Sequence, residues 1–199
     1  MSIWLSHTDL ILLAALAVVA LYQCYFYLHY LLGVNRWVRK QRSLEPVEES
    51  HLPKVSVIVC ARNEQHNLQT YLHALLRQDY PEYEVIVVND GSQDDTQQVL
   101  EQYALQHPNL YLTFVPCDAR VMSSKKLALT IGIKAARYEH VLLTDADCRP
   151  ESRFWIRAMM QAFVQGGEGI EVVLGFGAYF EQKTVLSSLI SYDTLFNGL

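Results

Sequence analysis

The stretch VSVIVCARNEQHNLQTYLHALLRQ, residues 55–78, decides the fold. Its first seven residues, Val55–Ala61, are a continuous apolar run of strand length. A strand that is apolar on both faces is buried on both faces, the habit of parallel sheets covered by helices. The run ends in a polar cluster, Arg62, Asn63 and Glu64. Leu68, Leu72, Leu75 and Leu76 then recur near helical spacing. That spacing predicts a helix over residues 67–78, with Asn67 as its cap.

The same unit recurs along the chain. YEVIVVND (residues 83–90) reads as a second strand, followed by a helix over 94–106 with Asp94 or Asp95 favourable at its N-terminus. LYLTFV (110–115) reads as a third strand and SSKKLALTIGIKAAR (123–137) as a helix capped near Ser123. HVLLTDAD (140–147) is a fourth strand, FWIRAMMQAFV (154–164) a helix and IEVVLGFG (170–177) a fifth strand. TVLSSLISYDTLF (184–196) reads as a last helix or an amphipathic surface segment. Alternating strands and helices predict an α/β fold, a mainly parallel sheet with helices on both faces. No internal repeat or low-complexity run interrupts it.

Ligands of open parallel sheets bind beyond the carboxyl ends of the strands. Three polar clusters fall there: Arg62 to Glu64, Asn89 to Ser92, and Asp145 to Asp147. Taken singly, each has a plain explanation. NDGS suits a turn, Arg62 and Glu64 suit a solvated ion pair, and an isolated D-x-D carries little information. Three clusters at one edge point to a shared ligand. Carboxylates one residue apart, Asp145 and Asp147, can converge on a hard cation. Mg²⁺ and Mn²⁺ take oxygen ligands, and Mg²⁺ is usually held by one or two carboxylates plus substrate phosphates. A diphosphate arriving with its metal fits this pattern. Neither G-x-G-x-x-G nor G-x-x-x-x-G-K-[ST] is present. Phosphates would therefore rest on metal and basic side chains, with Lys125 and Lys126 the nearest candidates.

Composition narrows the classes further. A net charge of −5 gives no basic footprint for nucleic acid. Cys24, Cys60, Cys117 and Cys148 are widely spaced, with no C-x-x-C pair. That argues against a zinc site and suits a reducing compartment. Cys60, inside an apolar run, reads as a small core residue.

From Leu10 to Val34 no side chain is charged. A spanning helix needs roughly 20 mostly apolar residues. A signal peptide would carry a basic leading region and a small-residue cleavage site, and neither is evident. Arg36, Arg39, Lys40 and Arg42 follow the run, whereas positions 1–34 hold no Lys or Arg. The excess of positive charge predicts that the C-terminal side faces the cytoplasm. Tyr22, Tyr25, Tyr27 and Tyr30 suit an interfacial aromatic belt. LEPVEESHLP (44–53), with three glutamates and two prolines, reads as a linker between an anchor with its basic flank (1–43) and one further domain (54–199).

VSVIVCARNE, VIVVNDGSQDDT, SSKKLALTIGI and VLLTDAD occur in the order, and at about the spacing, of glycosyltransferase family 2. Over residues 54–199 the chain resembles the nucleotide-sugar-binding half of a membrane-anchored bacterial member with a GT-A fold. The resemblance implies inverting, hexosyltransferase-like transfer from a nucleotide diphosphate sugar, with Mg²⁺ or Mn²⁺. A lipid-linked or envelope polysaccharide acceptor at the cytoplasmic face of the inner membrane is the expectation. By the same resemblance, Ala61, Arg62 and Glu64 line the nucleoside pocket and Asp90 meets the base or ribose. Lys125 holds the family's basic position, Asp145 faces the ribose or the metal-bound diphosphate, and Asp147 is the principal metal ligand.

The sequence departs from the family pattern in places. Cys60 stands where many members have Pro, Ser124 where Gly is usual, and Thr130 where Asn is common. None of these removes a charge from the donor site. The family's base is a carboxylate in the acceptor half, and no convincing match to it occurs. Glu181 and Asp193 are late acids that read better as surface residues. The expectation is a fragment of a longer enzyme whose base and further membrane segments lie beyond Leu199. Two other readings stay open. One is a membrane module that binds a nucleotide sugar but is catalytically incomplete. The other is a metal-dependent nucleotidyltransferase, for which a Gly-rich N-terminal phosphate loop is expected and ARNEQHN is not one.

Overall fold

The computed structural model describes residues 6–42, 47–116, 124–167, 169–180 and 183–197. Cys117, the Ser123 cap, Glu181 and residues 44–46 of the expected linker lie outside the described residues. Four strands are present: β1 Val55–Ala61, β2 Tyr83–Asn89, β3 Leu110–Phe114 and β4 His140–Asp145. The helices are α1 His7–Arg42, α2 Gln65–Leu76, α3 Thr96–Gln106, α4 Ser124–Ala135, α5 Trp155–Gln165 and α6 Val185–Asn197. A short 3-10 turn, Glu49–His51, precedes β1 within the stretch expected as linker.

All strand pairs are parallel, in the order β3-β2-β1-β4. Val55 to Ala61 pair in step with Tyr83 to Asn89, and Val55 to Cys60 with His140 to Asp145. The two inner strands are almost wholly buried, while β3 and β4, each with one neighbour, are partly exposed. Period-two alternation splits the core across the sheet. Val55, Val57, Val59, Val85 and Val87 pack with Leu68 and Leu72 of α2, Leu100 of α3 and Ile156 of α5. Ile58, Ile86 and Val88 face the other way and pack with Ala128 of α4. The sheet is thus covered by helices on both faces, the α/β arrangement that the alternating apolar runs predict.

Helix α4 comes unusually close to the sheet at Gly132. A Cβ there would lie 2.5 Å from Ile58 Cγ2 and 3.1 Å from Val88 Cγ2. Ile58 is β-branched and its χ1 is stiff, so it yields little. Gly132→Val is expected to cost about 1–3 kcal/mol through overpacking, read as a lower denaturant midpoint. An unchanged midpoint would show that α4 can lift off the sheet freely.

One charged network sits under the sheet, at the opposite end from the strand tips. Glu84, near the start of β2, is only 2% exposed. Its Oε1 accepts hydrogen bonds from Ser56 Oγ at 2.6 Å and Arg137 N at 2.8 Å, and its Oε2 accepts one from Arg137 Nε at 2.7 Å. The Arg137 guanidinium lies 3.9 Å from the centre of the Tyr111 ring. Burial works against the charged carboxylate, but the Ser56 and Arg137 donors outweigh it and hold Glu84 below the usual glutamate range.

Two expectations need correction. Helix α2 begins two residues before the predicted start, with Glu64 at the cap position; Asn67 lies in the first turn and donates to Glu64 Oε2 at 2.6 Å. The early start has partners that local sequence does not reveal. Glu64 N donates to Thr96 Oγ1 and Gln65 N to Asp94 Oδ2, so groups beyond β2 satisfy the first amides. The second correction concerns residues 170–177, which form no strand. A strand needs a neighbour to satisfy its backbone and a layer to cover its side chains. This run has no strand partner among the described residues, and Val172 and Leu174 are 73% and 89% exposed. Residues 184–196 resolve to the helical alternative, α6.

The chain divides into two compact units. One comprises residues 47–174 and holds the sheet with α2 to α5. The other comprises residues 1–46 and 175–199 and holds α1 and α6. Within that unit the Tyr27 and Tyr192 hydroxyls are 3.0 Å apart. The His7–Tyr30 stretch of α1, 24 residues with none of its most apolar window buried, is the one helix among the described residues long and apolar enough to cross a membrane. At 1.5 Å per residue it reaches about 36 Å, enough for an apolar layer of about 30 Å.

Candidate functional site

The chain runs outward from β1 through β2 to β3, then returns to place β4 on the other side of β1. The strand order reverses at β1, and the crevice above such a reversal is where open parallel sheets bind ligands. The loops leaving β1, β2 and β4 all start at that edge.

The first part of the site joins β1 to β2. Ala61, the buried last residue of β1, accepts a hydrogen bond through its carbonyl from Asp90 N at 2.9 Å. Arg62 Nη1 stands 3.9 Å from Asp90 Oδ2, and the Asp90 side chain is only 11% exposed. Asn63 follows at φ 56°, a left-handed conformation that Asn tolerates better than most residues. Its N–H donates to Ser92 Oγ at 3.0 Å, and its Oδ1 accepts from Gln93 N at 2.8 Å. Asp94 adds two acceptors, taking Gln65 N at 3.2 Å and Thr96 N at 3.1 Å. The Glu64 carboxylate is engaged by Asn67.

The second part lies at the tip of β4. Asp145 is the register partner of Cys60 on β1. Lys125, in the first turn of α4, donates from Nζ to Asp145 Oδ1 at 2.9 Å. That hydrogen bond, with the Asp145 charge, pushes the Lys125 ammonium above its ordinary range. The pair is largely exposed, so its contribution to stability is small, about 0–1 kcal/mol. A turn closed by Cys148 N donating to Asp145 O at 3.2 Å presents Asp147 to solvent. The Cys148 thiol lies 3.6 Å from Asp147 Oδ1. Burial, then the Asp147 charge, pushes that thiol up, and burial does the same to Cys60.

The structure therefore brings together Arg62 with Asp90 and Lys125 with Asp145, each pair at a strand tip of the same edge. Lys126 is exposed beside Lys125, and Asp193 lies on α6 in the other unit. Two neighbouring exposed carboxylates are the donor chemistry that Mg²⁺ or Mn²⁺ uses when phosphates supply further oxygens. Among the described residues no three acids, histidines or cysteines form a closed cage. Sequence reading missed the cross-loop contacts of Asn63, Ser92, Asp94 and Thr96. Their one local signal is a run of turn-forming residues after β2, which does not disclose a partner 30 residues away.

A sequence model described as Glycosyl transferase family 2 matches residues 56–186. The poly-beta-1,6-N-acetyl-D-glucosamine synthase of Staphylococcus epidermidis is 34% identical over 100 residues, covering 50% of this chain and 23% of that protein. The probable glycosyltransferase YdaM of Bacillus subtilis is 28% identical over 169 residues, covering 82% of this chain and 39% of that protein. Among solved structures, the mannosyltransferase PcManGT from Pyrobaculum calidifontis, in complex with GDP-Man and Mn²⁺, is similar at 32% identity and a TM-score of 0.54. It covers 71% of this chain and 41% of that one. The chain thus spans well under half the length of each of these proteins.

Proposed function

The chain belongs to glycosyl transferase family 2, and from that premise we propose that it binds the donor in a membrane-anchored, inverting sugar transfer. The donor is a nucleotide diphosphate sugar, and the acceptor a lipid-linked or envelope polysaccharide at the cytoplasmic membrane face. Residues 1–43 serve as anchor and 44–53 as linker, and within 54–199 the unit that ends at residue 174 carries the donor site. Arg36, Arg39, Lys40 and Arg42, directly after the apolar run, support the cytoplasmic orientation. The observation that carries the reading is the pairing of Arg62 with Asp90 and Lys125 with Asp145 at one reversal of strand order.

Arg62 and Asp90, with Ala61 and Glu64 around them, receive the nucleoside. The half-exposed guanidinium offers a flat face to a base, and the mostly buried Asp90 carboxylate an acceptor for a base N–H or ribose hydroxyl. Lys125 stays protonated at neutral pH and presents its ammonium where diphosphate charge develops. Asp147, with Asp145 beside it, is the carboxylate for Mg²⁺ or Mn²⁺. When bound, the metal supplies charge neutralisation of the leaving diphosphate. Mn²⁺ in the similar mannosyltransferase structure supports this choice. Asp90 and Asp145 are each committed to a basic side chain and Asp147 to the metal, so none is assigned as the base for the acceptor hydroxyl.

The test is a panel of nucleotide sugars supplied with Mn²⁺ and a lipid extract to membranes carrying the whole gene product. Release of a nucleoside diphosphate together with sugar transfer is expected. Release of pyrophosphate would instead mark a nucleotidyltransferase and contradict the proposal.

A further inference from the structure

We propose that Asn63 is a positioning residue for donor recognition, acting as a clasp that sets the spacing of Arg62 and Asp90. The inference rests on the functional reading above. Arg62 leaves β1 and Asp90 leaves β2 on separate loops, joined near their ends by Asp90 N donating to Ala61 O, Glu64 N to Thr96 Oγ1 and Gln65 N to Asp94 Oδ2. Register between the two strands ends at Ala61 and Asn89. Beyond that pair, side chain and backbone of Asn63 add two contacts between the residue after Arg62 and the β2 loop. Asn63 N donates to Ser92 Oγ, while Gln93 N donates to Asn63 Oδ1, a reciprocal pair at 3.0 and 2.8 Å. Ser92 is itself held from the sheet, its N–H donating to Asn89 Oδ1 at 3.0 Å. Asn89 Nδ2 in turn donates to Gln97 Oε1 at 2.9 Å, which ties the chain of contacts to α3.

The left-handed φ of 56° lets one residue do this. It turns the Asn63 amide and side chain together toward the β2 loop, while the preceding residue, Arg62, keeps its guanidinium 3.9 Å from Asp90. Asn is among the few residues other than Gly that visit this conformation routinely, and its short amide reaches a backbone N–H from it. Asn63 itself is exposed and contributes nothing to the apolar core. Its contribution is therefore to aim rather than to stability. Recognition by two groups on two loops is sensitive to small displacements, because binding energy is lost when either contact goes out of register.

The test uses the whole membrane protein in detergent, wild type against Asn63→Ala, Asn63→Gly and Asn63→Asp. Uridine and guanosine diphosphate are titrated with Mn²⁺ present, and the melting temperature is recorded. Wild type should bind one of the two nucleotides, and Asn63→Ala and Asn63→Gly should weaken that binding about tenfold. Gly adopts a positive φ freely, so its loss of affinity isolates the missing side chain from backbone strain. Asp keeps both the acceptor and the tolerance of this conformation, and should restore affinity to within about threefold. The melting temperature should stay near the wild-type value in Asn63→Gly and Asn63→Asp, which a general loosening of the domain would not spare. Asn63→Gly with wild-type nucleotide affinity would overturn the inference, whatever happens to the melting temperature. Asn63→Asp as weak as Asn63→Ala would overturn it too. Wild-type protein that bound neither nucleotide would instead overturn the functional reading, and this inference with it.

Discussion

Asp147→Ala is expected to abolish Mn²⁺-dependent binding of a nucleoside diphosphate while leaving the fold intact. Asp147 is exposed on the turn after β4, where the Cys148 thiol makes a long approach to its Oδ1. Removing such a side chain typically changes stability by no more than about 0.5 kcal/mol. Its loss at the metal position should weaken nucleotide affinity at least about 100-fold with Mn²⁺, and hardly at all with the metal chelated. Titrations in Mn²⁺ and in EDTA, on wild type and variant, check this directly. Equal affinity of both proteins in Mn²⁺ would remove Asp147 from the site.

Glu84→Ala is expected to have the largest effect on stability, far from any ligand. The substitution removes a buried carboxylate, leaves the Ser56 hydroxyl and Arg137 amide without their acceptor, and strands the Arg137 guanidinium. Breaking a fully buried pair costs about 3–5 kcal/mol. Arg137 is half-exposed, so water compensates it in part, and about 2–3 kcal/mol is the expected loss. The pH dependence has a definite sign. The folded-state pKa of Glu84 is depressed, so its stabilisation is fully present above the unfolded value of about 4.3 and is lost as pH falls through the folded value. Urea unfolding at pH 7 should separate wild type from variant, and the gap should narrow as pH drops below 4.3. A gap that widened toward low pH would show that Glu84 is not held as an anion.

Much of this fold is legible in local sequence because β1 and β2 are buried on both faces. Such strands are continuous apolar runs, and their bounds follow from where the run stops. The start of α2 was not legible, because its first amides are satisfied by Thr96 and Asp94, some 30 residues on. The run at 170–177 has a strand's composition without a strand partner, and composition alone does not reveal whether a neighbour exists. The site divides in the same way. Asp145 and Asp147 were visible because a strand tip at a parallel sheet's carboxyl edge is a known place for acids to work. The Lys125–Asp145 contact brings together residues 20 apart through the packing of α4 on β1, which depends on Gly132 admitting Ile58. The Asn63 clasp was invisible because a turn-forming residue looks the same whether it points to solvent or to another loop.

In the proposed function, the tips of β1, β2 and β4 form one site for a metal-bound nucleoside diphosphate. A structure of the whole protein with uridine or guanosine diphosphate and Mn²⁺ tests it most directly. The predicted result is base and ribose against Arg62 and Asp90, diphosphate near Lys125, and Mn²⁺ about 2.0–2.3 Å from a carboxylate oxygen of Asp147. Nucleotide bound at any other edge of the sheet, or Mn²⁺ held without Asp147, would contradict it.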